Sequence, residues 1–409
     1  MCWHAGPRVL RLVSGLLASV AVARHLGPEN FGVLCFATMI ASLCAGLVQL
    51  GSLEVTTRMS AVAPEQTGSL LRSALRLRLA GAGLAGLLIL GMPLWFGHQS
   101  LYWILALFPL TLVPDCIEAA FYGQSRFRAM APIRAASSLF GLVLRLGLVF
   151  FGAPLEAFAA ATLAEGLFSA WFFLMLRGRL SVPKAKETGK EPPHLLRQSL
   201  PLVASGMVVA VMLKLDQFLL QTMRPGADVG LYYVVVRLFE TAGVLIPSLV
   251  AALLPDLARL HSVSPENYRR KMVLIYRTTY QAGLVMSFAA CLLAPMAIPL
   301  FFGKEYAGSV PIFMAYAFAF PSFVVGSIRA MEFVIAKKNQ NHLLVSALLL
   351  PLQICVCTAG IYWFGPVGLA AAMAVVAFIS TTLFSMILSP LRESGDLQKT
   401  ALQQICQWR

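Results

Sequence analysis

Charge is scarce in this chain of 409 residues. Only 12% of the residues are charged and 58% are hydrophobic, whereas an ordinary soluble domain carries roughly 25% charge. No stretch free of long apolar runs is left to form a separate water-soluble domain, so lipid is the expected solvent. Histidine is sparse too. His4, His25, His98, His194, His261 and His342 are scattered through expected loops and helix ends, with no pair at helical metal-binding spacing and no glycine-rich phosphate loop nearby. The chain therefore offers no catalytic residues and no metal site, and an enzyme is disfavoured. Its eight cysteines fall mostly inside apolar runs without ligand spacing and read as small core residues of a reducing-side membrane protein.

What is present is a succession of apolar runs of about 20 residues, each able to cross a hydrocarbon core of roughly 30 Å as a helix. Twelve spans are predicted, at about 7–24, 31–53, 73–93, 101–123, 133–152, 154–177, 199–222, 230–254, 273–295, 308–335, 342–363 and 366–389.

The net charge of +14 could indicate nucleic acid, but the cations lie between the runs and on alternate sides. With a cytoplasmic N-terminus, 26 of them fall on the inner side, among them Arg72, Arg76, Arg78, Arg126, Arg128, Arg134, Arg269, Arg270, Lys271, Lys337 and Lys338. Only Arg24, Arg224 and Lys304 fall outside. This asymmetry predicts both termini in the cytoplasm and no nucleic-acid partner. Arg8 and Arg11 before an apolar stretch ending Ala21-Val22-Ala23 imitate a signal peptide. Cleavage there would leave eleven spans and invert the charge pattern, so the segment is read as the first span.

An internal repeat is visible. Phe31-Gly32-Val33-Leu34 answers Val229-Gly230-Leu231-Tyr232, Phe96-Gly97 answers Phe302-Gly303, and Phe151-Gly152-Ala153-Pro154 answers Phe364-Gly365-Pro366-Val367. The matches run in order with slowly growing offsets, which predicts two six-helix halves of the same orientation. The expected organisation is an N-terminal half at 1–177, a solvated Lys-, Glu- and Pro-rich linker at 178–198, a C-terminal half at 199–389 and a tail at 390–409. The fold class is all-α integral membrane protein, about twelve helices in two six-helix bundles related by a pseudo-twofold axis along the membrane normal.

Ala23-Arg24-His25-Leu26-Gly27-Pro28-Glu29-Asn30-Phe31-Gly32 resembles the turn that closes the first helix in bacterial oligosaccharide flippases of the Wzx type, within the multidrug/oligosaccharidyl-lipid/polysaccharide exporter superfamily. Ser199-Leu200-Pro201, Asp216, Val229-Gly230-Leu231-Tyr232, Leu254-Pro255 and Phe302-Gly303-Lys304-Glu305-Tyr306 are similar to that family's pattern in the second half. The resemblance runs nearly end to end. It implies a central cavity opening alternately to either side. The implied cargo is an undecaprenyl-diphosphate-linked oligosaccharide for O-antigen, capsule or exopolysaccharide. Membrane lipids and other polysaccharide-assembly proteins of the bacterial cytoplasmic (inner) membrane are the implied partners.

Charges within the spans need partners or a wet cavity, since each costs about 2.5 to 3.5 kcal/mol at the bilayer centre. Arg145, Lys214 and Arg237 are the expected contacts for diphosphate and sugar, because fixed cations in a low-dielectric cavity hold such an anion well. Glu165, Asp216 and Glu240 are the expected ion-coupling groups, with H+ or Na+ exchanged for cargo and no other cofactor. Spacing lets Arg237 pair with Glu240 and Arg329 with Glu332, while Lys214 and Asp216 point away from each other. Structural ion pairing is the competing account of all these groups. A multidrug antiporter and a lipid-II flippase of the same superfamily remain alternatives. Cations in the cavity count against the antiporter, since they would repel cationic drugs.

Overall fold

The computed structural model describes residues 2–49, 52–62, 67–124, 127–176, 210–243, 245–336, 339–388 and 391–406. All regular structure among these residues is helical. The linker at 178–198 and the Ser199-Leu200-Pro201 motif lie outside them. The chain divides into two compact units, Met1–Lys214 and Leu215–Arg409, and each of the twelve predicted spans contains helix.

Each unit buries small, aliphatic and aromatic residues and leaves many further long apolar side chains exposed. On the 38-residue helix Pro265–Phe302, Phe288, Leu292, Met296 and Leu300 recur every fourth residue and are 58–73% exposed. Such a stripe in water would be an aggregation site, and in a bilayer it is the lipid-facing side. At 1.5 Å per residue this helix is about 57 Å long, well beyond a hydrocarbon core of roughly 30 Å. Its Pro265–Lys271 end, with exposed Glu266, Arg269 and Arg270, therefore projects past the bilayer.

The sequence repeat reappears as a repeat of backbone conformation. Among the described residues the glycines with positive φ are Gly27, Gly97 and Gly152 in the first unit and Gly226, Gly303 and Gly365 in the second. Each follows the first, third or fifth span of its half, where a tight reversal needs a conformation that a Cβ disfavours. The reversal is explicit at Gly365 (φ 60°, ψ −141°). Gly360 and Gly368 stand so close that a Cβ on either would overlap the other's carbonyl oxygen. In a straight helix residues eight apart are about 12 Å apart. The run Asn339–Phe378 is therefore a hairpin of two helices, not one. Exposed aromatics precede several of these turns: Trp95 is 83% exposed, Phe151 81% and Phe364 72%.

The fourth span is broken, as Pro109 and Pro114 dictate, into Gln99–Leu105, Phe108–Thr111 and Asp115–Gly123. Arg78, counted from sequence as an inner-side surface cation, is instead fully buried, and its Nη1 donates to the Leu112 carbonyl oxygen at the break, 3.2 Å away. In the second unit the predicted tail is a helix, Arg392–Cys406. Leu397 and Ala401 on its inner face join a core with Tyr268, Met272, Tyr276, Val325 and Ile328.

Candidate functional site

In the first unit, helix Phe127–Phe150 carries Arg145 and helix Leu155–Leu176 carries Glu165. Arg145 Nη1 lies 2.7 Å from Glu165 Oε2, and Nη2 donates to Thr162 Oγ1 at 3.2 Å. Long helical side chains lean toward the preceding turn, which brings Arg145 back over Gly141. A Cβ there would overlap the Glu165 carboxylate, so glycine makes the space in which the pair meets. From sequence these two residues carry separate roles, and the structure joins them.

A second guanidinium in this unit behaves differently. Arg134 donates through Nε to Glu118 Oε1 at 3.1 Å and through Nη2 to Glu118 Oε2, with Asp115 Oδ2 3.3 Å away. Its Nη1 reaches Ser169 Oγ at 3.4 Å, and the group lies over the Phe173 ring. Tyr122 donates to Glu118 Oε1 at 2.6 Å. Asp115, Glu118 and Tyr122 share one helix face at i, i+3 and i+7 spacing, which is the signal the sequence offers for this cluster. All three nitrogens of Arg134 are engaged by short-range acceptors, so the cluster ties the fourth, fifth and sixth spans together. Arg145 has one carboxylate partner, and that partner's side chain is 31% exposed, against 8% for Glu118. The two arginine side chains are similarly exposed, 20% for Arg145 and 23% for Arg134, but Arg145 has fewer acceptors and the more exposed carboxylate.

In the second unit, Asp216 near the start of helix Leu215–Met223 is 1% exposed, and its Oδ2 accepts from the Tyr232 hydroxyl at 2.6 Å. The Tyr232 ring packs edge-on to Tyr316, with centroids 6.1 Å apart. Lys214 falls in the turn just before this helix and is half-buried. The helix starts at Leu215, so Lys214 lies just outside it. Arg237 is half-buried on helix Ala227–Gly243, and its buried Nε has no hydrogen-bond partner. Glu240 is exposed, and the Arg237–Glu240 ion pair permitted by spacing is not formed among the described residues.

Arg329 does not pair with Glu332 either. Arg329 Nη1 donates to the Ser380 carbonyl oxygen and to Ser385 Oγ at 3.1 Å, while Glu332 Oε2 accepts from the Tyr276 hydroxyl at 2.7 Å. A π-helical turn, Ile379–Leu383, supplies the carbonyl. Because its bonds run i to i+5, such a turn departs from the ordinary ladder, and no sequence spacing announces it.

The fold is shared with solved transporters. An inward-facing multidrug resistance MATE family transporter of the MOP superfamily matches with TM-score 0.76 at 16% identity, over 95% of this chain and 96% of that one. The lipid II flippase MurJ in an inward closed conformation matches with TM-score 0.73 at 14% identity, over 99% and 92%. A MOP superfamily transporter from Pyrococcus furiosus, described as having a binding pocket of reversed polarity, matches with TM-score 0.62 at 14% identity, over 95% and 94%. Comparison with curated proteins gave no match. The polysaccharide biosynthesis protein family matches residues 21–311. With that match over most of its length and a multi-pass helical fold common to MOP transporters, this chain belongs to the polysaccharide biosynthesis protein family.

Proposed function

We propose that the protein is a flippase that carries an undecaprenyl-diphosphate-linked oligosaccharide across the bacterial cytoplasmic membrane by alternating access, for O-antigen, capsule or exopolysaccharide assembly. Its termini and the 178–198 linker face the cytoplasm. The observation that carries this reading, beside the family match, is the partly exposed Arg145–Glu165 pair inside a lipid-facing bundle.

A guanidinium forms two parallel hydrogen bonds to a phosphate as well as to a carboxylate. An arriving diphosphate therefore competes with Glu165 for Arg145. Glu165, displaced, is the group positioned to take a coupling proton, and release of cargo restores the pair. Lys214 and Arg237 are the further cations we propose for contact with the diphosphate and sugar. Asp216, held by Tyr232, and Glu240 are the further candidates for H+ or Na+ coupling. Cationic drugs gain nothing from such a site, which favours an anionic lipid-linked sugar over a drug as cargo.

The experiment is a clean deletion in the native host. Lipid-linked sugar units should accumulate on the cytoplasmic leaflet while the glycosyltransferases stay active, and surface polysaccharide should be lost. Normal surface polysaccharide in a deletion strain with no compensating flippase would refute the proposal.

A further inference from the structure

A buried polar cluster in the Leu215–Arg409 unit takes no part in the cargo site above. Its members come from four elements. Gln398 of the tail helix is 0% exposed. It accepts from the Tyr280 hydroxyl at 3.2 Å and donates to Ser385 Oγ at 3.4 Å. Tyr280 also stands 3.0 Å from Thr382 Oγ1 within the π-turn. Arg329 clasps the same turn through the Ser380 carbonyl oxygen. Glu332, on the helix of Arg329, is held by Tyr276 and faces Ser394 of the tail. The tail backbone lies against this end so closely that a Cβ at Gly395 would overlap the Ser385 carbonyl oxygen.

Two properties distinguish this contact from ordinary core. First, the buried tail residues include Ser394, Gly395 and Gln398, polar or without a side chain, beside Leu397 and Ala401, with Leu402 and Ile405 partly buried against the same core. Hydrogen bonds to water can replace those of Ser394 and Gln398 when the helix leaves, whereas buried apolar surface has no such substitute. Second, the tail packs on Ser385 and Met386, immediately after the irregular turn in the twelfth span, and reaches the turn itself through Tyr280, which bonds both Gln398 and Thr382; π-turns are frequent at functional sites. The chain between that span and the tail passes through Leu388 in an extended conformation (φ −76°, ψ 123°). The tail helix is therefore separated from the twelfth span rather than continuing it rigidly.

We infer that the tail helix Arg392–Cys406 is a releasable latch. Docked, it holds the ninth, tenth and twelfth spans together at one end of their half. Released, it exposes Glu332 and Tyr280 and frees the π-turn, so that this end opens. As a step in transport the inference rests on the flippase reading, but the movement itself does not.

Two measurements test it. In nanodiscs, a protein whose native cysteines are alanine and which carries Gln398→Cys should react slowly with a polar thiol reagent, although that position is fully buried when docked. Adding Gly395→Leu, which crowds the docked backbone, should raise the rate by about tenfold or more. Inertness of the thiol over many hours in both proteins would overturn the latch, whatever the cargo. In proteoliposomes, Gln398→Cys with Ser385→Cys, bridged by a short reducible bis-thiosulfonate, should lose transport of lipid-linked sugar and regain it on reduction. Unchanged transport in the bridged protein would show that release is not a step of the cycle. Absence of sugar transport in the unbridged and wild-type proteins would count against the flippase reading alone, and the labelling rates would still decide whether the tail moves.

Discussion

Arg145 and Glu165 meet at 2.7 Å over the bare backbone of Gly141. The sequence separates them by twenty residues and one helix turn-around, yet the geometry makes them a single unit. Arg145→Ala should abolish transport of lipid-linked sugar into proteoliposomes, and Arg145→Lys should keep a part of it. Glu165→Gln should retain cargo binding, measured by competition with a diphosphate lipid, but lose the dependence of flux on a proton gradient. An Arg145→Ala protein that transports normally would remove the pair from the mechanism.

Gly141→Ala places a methyl group where the Glu165 carboxylate sits. Overpacking of this kind costs about 1–3 kcal/mol, so thermal unfolding in detergent should shift downward. The same substitution in a Glu165→Ala background should cost less, since only the flexible tip of Arg145, with Nη1 2.8 Å from the added Cβ, then has to shift. Equal shifts in both backgrounds would mean that the glycine is needed for some other reason.

Gly152 (φ 64°) and Gly365 (φ 60°) occupy matching turns of the two halves. Alanine at either site requires a left-handed backbone and should destabilise by about 1–2 kcal/mol. Gly147 and Gly91 have no positive φ, and a Cβ added at either would meet open space. Alanine there should be neutral or slightly stabilising in the same melting assay.

Tyr232→Phe removes the hydroxyl that donates to buried Asp216 at 2.6 Å. Leaving a buried acceptor without this donor should cost about 1–3 kcal/mol. Adding Asp216→Asn to that variant should recover part of the loss if the carboxylate charge is the source of the penalty. Melting curves of the four proteins give the coupling directly.

Asp256 is exposed and bonded to Lys271, which holds its carboxyl below the ordinary aspartate range. A lowered folded-state value stabilises above the unfolded value and is lost as pH falls through the folded one. Asp256→Asn should therefore lower melting between about pH 6 and 8, but only slightly because exposed pairs contribute little, and the difference from wild type should vanish as pH falls below the ordinary aspartate range. A large loss at neutral pH would reveal a structural role that the exposure of this pair denies.

The membrane fold is legible in the sequence because lipid imposes long apolar runs, and Gly-centred turns punctuate them at repeating offsets. Gly97 and Gly152 match Gly303 and Gly365 by their neighbours in the chain alone, and all four share a positive φ. The site is less legible. Spacing along one helix suggests Arg329 with Glu332 and Arg237 with Glu240, and neither pair forms. A guanidinium reaches across to carbonyls of a neighbouring span as readily as along its own helix. The π-turn at Ile379–Leu383 and the broken fourth span create such carbonyls, and Arg329 and Arg78 find them. Of these two irregularities, only the proline breaks are visible in the sequence. Arg145 with Glu165 is compatible with the absence of any closer partner, but nothing in one dimension favours it over Thr162 or solvent.

The reversals at Gly97, Gly152, Gly303 and Gly365 leave almost no chain to spare between the spans they join, and bulky rings such as Trp95, Phe151 and Phe364 sit beside them. A helix pair bound so tightly cannot slide lengthwise past its partner, and rings of that size resist moving into either water or acyl chains. Each such hairpin thus behaves as a moored unit with a fixed depth. Relative movement of the two helices in such a hairpin is therefore confined to tilting about the turn.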